Sequence, residues 1–251
     1  MLGILGGMGP LATVDFMHKL IRNTSAARDQ DHLELFVHSA TKIPDRTDFL
    51  LGRGPDPLPA MRVALRQLEN AGARVVAIPC NTAYHWHPAL QAATSAIVLH
   101  IVDAVAVELV RGDRRDGPIG VLATDGTLKA GVYQDRLARL GFACLAPGGQ
   151  DQAEVMRAIS LVKAGSVVQG RGVLREQAEL LGRAGCHRVV MACTEIPVAL
   201  EGVRGAGLPF LVDATDALAR ACVEKCGTVA AVPACNAARP RLRRDDHALS
   251  H

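Results

Sequence analysis

Aromatic side chains are scarce: five Phe, two Tyr and one Trp make up 3% of the 251 residues. That leaves little material for base-stacking platforms or aromatic cages. No apolar run approaches the ~18 residues a membrane span requires. Met1 to Leu11 is apolar but Gly-rich and has no basic stretch, so it reads as a buried strand and turn rather than a signal peptide. Net positive charge is nearly absent from the body. Of the formal +3, two units belong to the last thirteen residues, where Arg239, Arg241, Arg243 and Arg244 face Asp245 and Asp246. No nucleic-acid footprint is left to explain. The seven cysteines are odd in number and have no secreted disulfide spacing, which points to a reduced, cytoplasmic setting with free thiols. Cofactor signatures are missing too. Gly6-Gly7-Met8-Gly9-Pro10 is not a dinucleotide fingerprint and no acidic residue sits where a ribose would need one. His85 and His87 lack a third metal ligand nearby. None of the five lysines has a phosphate-cup context, so no cofactor and no metal are expected.

What remains is 49% hydrophobic and 21% charged, ordinary for a globular protein and, at roughly 150 residues per domain, enough for one or two. Short β-branched runs alternate with longer amphipathic stretches. Strands are predicted at Leu2–Gly6, Leu33–His38, Arg74–Pro79, Ile97–Ile101, Ile119–Ala123, Phe142–Leu145, Arg188–Ala192 and Pro209–Val212. Helices are predicted at Pro10–Ile21, Pro59–Ala71, Val102–Val110, Leu128–Leu140, Gln152–Ala164, Gly172–Ala184 and Ala214–Cys226. In the first helix Leu11, Val14, Met17, His18 and Ile21 share one face, taken as the buried one. Strand–helix alternation predicts parallel sheets with helices on both faces.

The chain also resembles itself. Gly3-Ile4-Leu5 is echoed by Gly120-Val121-Leu122. The run Val75 to Thr82 is echoed by Val189 to Thr194, with Cys80 matching Cys193, and Ile101-Val102-Asp103-Ala104 by Leu211-Val212-Asp213-Ala214. Three echoes in order, at nearly constant offset, point to two related Rossmann-like α/β halves, pseudo-twofold related, with a cleft between them. The boundaries fall near 101 and 212: residues 1–101 plus 212–227 form one subdomain, 102–211 the other, and 228–251 a flexible tail whose charges at 241–246 are solvated.

Cys80 and Cys193 each follow a buried-strand pattern and precede a Thr/Asn-containing turn. That places both thiols at the carboxyl ends of parallel strands, where open α/β sheets bind ligands. Free N–H groups at a helix start attract anions and lower a thiol pKa. A lone Cys is ordinarily a buried small hydrophobe; two at equivalent points of a repeat argue for use. A thiolate on one face of a carbon centre and a thiol on the other can invert it, exchanging roles with direction.

Over about residues 1–226 the chain resembles the aspartate/glutamate racemase family, the cofactor-independent amino-acid racemases. The resemblance rests on Gly6-Gly7-Met8-Gly9-Pro10 with Ala12-Thr13, Ile43-Pro44-Asp45-Arg46-Thr47, and Ala71-Gly72-Ala73 leading into Pro79-Cys80-Asn81-Thr82-Ala83. It rests further on Val162-Lys163-Ala164-Gly165 and Cys193-Thr194-Glu195-Ile196-Pro197. It implies two α/β subdomains, a cleft site and a homodimer, acting on a small acidic amino acid without pyridoxal phosphate or metal. Cys80 and Cys193 would be the acid and base. Asn81, Thr82 and Thr194 would hold the α-carboxylate with backbone N–H groups, and Glu195 belongs to the substrate-binding set by its motif. Arg46 and Lys163 match the basic residues that bind the acidic side chain. Arg46 is expected on an irregular loop able to close over substrate. Lys163 alone reads as a dipole-complementing residue at a helix end. The glycines of the first turn read either as letting backbone approach a small anion, with Met8 lining the pocket, or as a purely structural tight turn.

One departure stands out. After Cys-Asn-Thr-Ala the family usually has His, and here Tyr84 follows, then His85; either His85 takes over that role or the role is dispensable. Cys222 and Cys226 are expected to pack on a helix face, while Cys144, Cys186 and Cys235 have no chemical context. Relatives of the fold racemise hydantoins or isomerise maleate, and a non-catalytic amino-acid-binding protein is the remaining alternative. Arg46 with Lys163 favours a dicarboxylic substrate.

Overall fold

Leu2–Gly6 is a run of five buried residues. A strand with no exposed face belongs in the middle of a parallel sheet covered on both sides, and there it lies. The computed structural model describes residues 1–111, 117–205 and 207–230. In chain order its first part holds β1 (Leu2–Gly6), α1 (Pro10–Asn23), β2 (Leu35–Ser39), α2 (Arg46–Leu50), α3 (Leu58–Asn70) and β3 (Val75–Ala77). A 3-10 turn at Thr82–Trp86, α4 (His87–Gln91), β4 (Ile97–Val98) and α5 (Ile101–Arg111) follow. The next stretch holds β5 (Ile119–Ala123), α6 (Asp125–Lys129), α7 (Gln134–Ala138), β6 (Cys144–Leu145) and α8 (Gly149–Lys163). The described residues end with α9 (Val167–Arg183), β7 (Arg188–Ala192), α10 (Glu195–Leu200), β8 (Phe210–Asp213) and α11 (Ala214–Ala230).

The eight strands among the described residues form two four-stranded sheets of like topology, β2-β1-β3-β4 and β6-β5-β7-β8. Every pairing is parallel: Leu2 faces both Leu35 and Val75, and Ile119 faces both Cys144 and Arg188. The expected fold class is therefore present, and two of the three sequence echoes fall on corresponding strands, β1 with β5 and β3 with β7; the third sets the start of α5 against β8. In each sheet the order reverses between the first and third strand, so the crevice that binds ligands in such sheets lies at the carboxyl ends of β1 and β3, and of β5 and β7.

The larger core joins the two sheets. Ile4, Val76 and Ile78 share it with Val121, Ala123 and Val190. A second core lies between β5, β7 and the helices α8 to α10. On α3 the buried residues are Met61, Ala64, Leu65 and Leu68, and on α8 they are Val155, Ala158, Ile159 and Val162, the stripe spacing of a core-facing helix. Each Met, Leu, Ile or Val among them contributes about 1.5–3 kcal/mol on burial. Helix α11 packs against α1 and α5 and reaches β3; Cys222 is buried in it and Cys226 half-buried.

Three expectations change. The buried face of α1 is Ala12, Thr13, Phe16, Lys19 and Leu20; Leu11, Val14, His18 and Ile21 are exposed. Lys19 belongs to the inner face because Asp15 and Asp213 compensate it at 2.5 and 2.7 Å. The single helix predicted at Leu128–Leu140 is two, α6 and α7, because Gly131 turns the chain with a φ of +63°, a conformation only Gly adopts freely. Arg46 is not on an irregular loop. It opens α2, whose N-cap Asp45 accepts a 3.0 Å hydrogen bond from the Asp48 N–H. Helix α11 runs three residues into the segment read as a tail. The rest of that segment, with Cys235 and the charges at 241–246, lies outside the described residues.

Candidate functional site

The four switch-point strands deliver four short segments to one place. Met8 follows β1, Cys80 to Thr82 follow β3, Thr124 follows β5 and Cys193 to Glu195 follow β7; all of these residues line a single cavity. Asp45, Arg46 and Thr47 close it from α2, and Lys163 from the end of α8. Its free space is about 20 Å³, room for one water, so the two sheets stand closed on each other. Two roomier clefts, of about 640 and 830 Å³, open elsewhere on the surface; neither contains Cys80 or Cys193.

Both thiols are buried, Cys80 at 5% and Cys193 at 6% exposure, yet both face the cavity. Their electrostatic settings differ. Cys193 Sγ donates to Glu195 Oε2 at 3.0 Å, and the Thr194 hydroxyl donates to the same oxygen at 3.2 Å. Burial, then the Glu195 charge and this hydrogen bond, push the Cys193 thiol well above its ordinary range against the pull of Lys163. Cys193 therefore rests protonated. Burial opposes the charge of Arg46, but Cys80, Asp45 and Glu195 outweigh it and hold the guanidinium above its usual value. Lys163 is raised in the same way: burial opposes its charge, and Glu195, Cys193, Asp45 and Cys80 together outweigh it. The site thus presents two permanent cations beside two thiols.

Arg46 is tied back through Nη1 to the Pro44 carbonyl at 3.1 Å and through Nη2 to the Met8 carbonyl at 3.4 Å. Its Nε and the Asn81 Nδ2 are buried without a protein acceptor. A buried donor left unpaired costs about 1–3 kcal/mol, and both are on residues lining the cavity, where a carboxylate can recover that cost. Thr82 is held from the other sheet: its Oγ1 is 3.1 Å from Thr124 Oγ1 and 2.8 Å from Thr127 Oγ1, and Thr47 Oγ1 donates to Thr124 at 3.3 Å. The first glycine turn serves packing more than ligand approach. A Cβ on Gly6 would lie 2.4 Å from Thr13, and one on Gly7, where φ is +86°, 2.5 Å from the Ala40 backbone. Thr13 Oγ1 accepts from the Gly7 N–H and donates to the Gly9 carbonyl.

All nine residues singled out from the sequence, Met8, Arg46, Cys80, Asn81, Thr82, Lys163, Cys193, Thr194 and Glu195, line this cavity. Asp45, Thr47 and Thr124 were missed. Thr124 carries the same positional signal as Cys80, the carboxyl end of a switch-point strand; Asp45 and Thr47 flank Arg46. His85 is exposed and stacked edge-on against Trp86, outside the cavity. Tyr84 turns into the core beside His87 and His100. Among the described residues no cluster of His, Cys, Asp and Glu is placed to hold a metal, and no helix is long and apolar enough to cross a membrane.

The arrangement has solved and curated counterparts. Aspartate racemase of Picrophilus torridus superposes with a TM-score of 0.77 at 29% identity, covering 90% of this chain and 94% of that one. The broad specificity amino-acid racemase RacX of Bacillus subtilis is 26% identical over 230 residues, 89% of this chain and 96% of its own length. Glutamate racemase of Deinococcus radiodurans is 33% identical over 167 residues, which span 62% of this chain and 54% of that enzyme. The Asp/Glu/Hydantoin racemase family profile matches residues 5–222. With most of its length matched and with the duplicated sheets in place, the chain belongs to the Asp/Glu/hydantoin racemase family.

Proposed function

We propose that the protein is a cofactor-independent racemase that inverts the α-carbon of an acidic amino acid, aspartate or glutamate, by two-base proton transfer between Cys80 and Cys193. The observation that carries this reading is the shared cavity. Two thiols from equivalent strand ends of two like sheets line one small space with two cations and two unpaired donors.

In one direction Cys80 acts as the base: its thiolate removes the α-proton and becomes a thiol. The electron pair left on Cα delocalises into the α-carboxylate. The Cys193 thiol then gives its proton to the opposite face and becomes a thiolate. Reversal exchanges the roles. The α-proton is far less acidic than a thiol, so the site must stabilise the charge developing on the carboxylate. Asn81 Nδ2 is the side-chain donor suited to this, aided by backbone N–H groups at Asn81, Thr82 and Thr194. Glu195 keeps the proton on Cys193 by accepting its hydrogen bond. Arg46 and Lys163 take the side-chain carboxylate; a guanidinium can do so with two parallel hydrogen bonds.

Chiral chromatography after incubation with each enantiomer of aspartate and glutamate tests the reading. Interconversion is expected with the wild type. Cys80→Ser and Cys193→Ser should each lower it by about 10²–10⁴-fold, the usual weight of a general acid or base. Full retention of configuration with both acids overturns it. The likeness to a broad-specificity racemase is the reason to run neutral amino acids alongside, and fumarate formation from maleate is the isomerase control.

A further inference from the structure

We infer that Tyr133 is a positioning residue of this site: its buried hydroxyl donates to the Asn81 side-chain carbonyl and so fixes the Asn81 amide with its NH₂ group facing the cavity. The inference rests on the proposed function for the identity of the ligand, a carboxylate of an amino acid, and on geometry for the rest.

Tyr133 Oη lies 2.5 Å from Asn81 Oδ1, with both residues buried. A phenol has one proton to give, and an amide presents one acceptor and two donors. Burial pushes the Tyr133 hydroxyl well above its usual range, with the charges of Asp213 and Cys193 adding to the effect. It therefore keeps its proton and must donate, and only the carbonyl end of Asn81 can receive it. That leaves Nδ2, which has no acceptor in the protein, on a residue that is 2% exposed and lines the cavity. The phenol thus decides which end of the amide meets the ligand. A donor end attracts a carboxylate; the carbonyl end would repel it.

The interaction also crosses the cleft. Asn81 follows β3 of the first sheet, whereas Tyr133 stands at the break between α6 and α7, which follow β5 of the second in the chain. Gly131, with a φ of +63°, turns the chain just after α6 and so makes that break. The donor array is completed by a residue from the opposite half.

A double-mutant cycle tests the coupling. Tyr133→Phe removes one oxygen and leaves the ring in the core. In the wild-type background it should lower kcat/KM for aspartate about 10-fold, the weight of one hydrogen bond to a polar partner, with KM raised for both enantiomers. In an Asn81→Ala background the same change should cost less than about 2-fold, because there is no amide left to orient. Thermal midpoints of all three variants identify any loss due to unfolding. Independent effects that multiply overturn the inference and make Tyr133 a packing residue only. Wild-type activity separates this from the functional reading: a wild type that does not racemise defeats that reading, and the cycle is then read on L-aspartate affinity by calorimetry, where multiplying effects, or no measurable binding by the wild type, overturn the inference as well.

Discussion

Cys193 and Glu195 are two positions apart and share a hydrogen bond of 3.0 Å, and that contact separates the two thiols chemically. A carboxylate that accepts from a thiol stabilises the protonated form and opposes the thiolate. Glu195→Gln removes the negative charge and keeps the shape, so the Cys193 thiol should titrate lower. Peptide-resolved iodoacetamide labelling near pH 8 should then modify Cys193 several-fold faster than in the wild type; slower or unchanged labelling would contradict the assignment. Single residues were the most legible level of the sequence. The strand-then-turn context of both thiols is visible in one dimension. So is the pairing of Arg46 and Lys163 by motif, and all of these residues meet at the cavity. Tyr133 was not legible, because nothing local distinguishes a phenol aimed at Asn81 from one packed in a helix.

At the level of elements, runs long enough to show a period were readable and short ones were not. The buried strands β1, β5 and β7 fall where hydrophobic runs place them, since a strand covered on both faces needs nothing beyond its own residues. Helices α2, α4, α6 and α10 have five or six residues each, under two turns, too few for a period to emerge. Helix α9 begins at Val167 rather than Gly172, so Gly170 lies inside it, at a helix contact. A Cβ at that position would lie 2.6 Å from Val162 of α8. The contact that matters most for the site is of the same kind. A Cβ on Gly126 of α6 would come within 2.8 Å of the Thr47 Cα on α2, next to Arg46. Gly126→Ala should push α2 outward and misplace the guanidinium. A fall in kcat/KM of about 10–100-fold is expected, the scale of an ångström of misplacement, with the thermal midpoint shifted by only a few degrees. Wild-type kinetics in this variant would show that α2 does not set the Arg46 position.

Across the whole molecule, the two sheets share a core and enclose the cavity between them, so stability and closure are linked. His100 is one titratable reporter of that state. Burial, then the charges of Arg136 and His87, lower its pKa from 6.5 to about 3, while Asp103, paired with Arg136, pulls the other way. The folded protein therefore holds His100 neutral where the unfolded chain would protonate it. Its contribution is full above about pH 6.5 and is lost progressively as pH falls toward 3. By pH 5 the loss should be about 1 kcal/mol once partial exposure is allowed for. The thermal midpoint should drop between pH 7 and pH 5, and His100→Asn should flatten that drop; an equal drop in the variant assigns the effect elsewhere. Duplicated topology was readable from the echoes at Cys80 and Cys193, whereas the closed cleft was not, because it arises from contacts such as Thr47–Thr124 and Thr82–Thr127 between residues distant in sequence. The most direct test of the paired thiols is an isotope experiment. L-aspartate is incubated with the protein in deuterium oxide and followed early by proton NMR and chiral separation. Two opposed bases predict D-aspartate carrying deuterium at Cα while the remaining L-aspartate keeps its proton. Deuterium entering the L form as fast as the D form, or no inversion at all, would contradict the account.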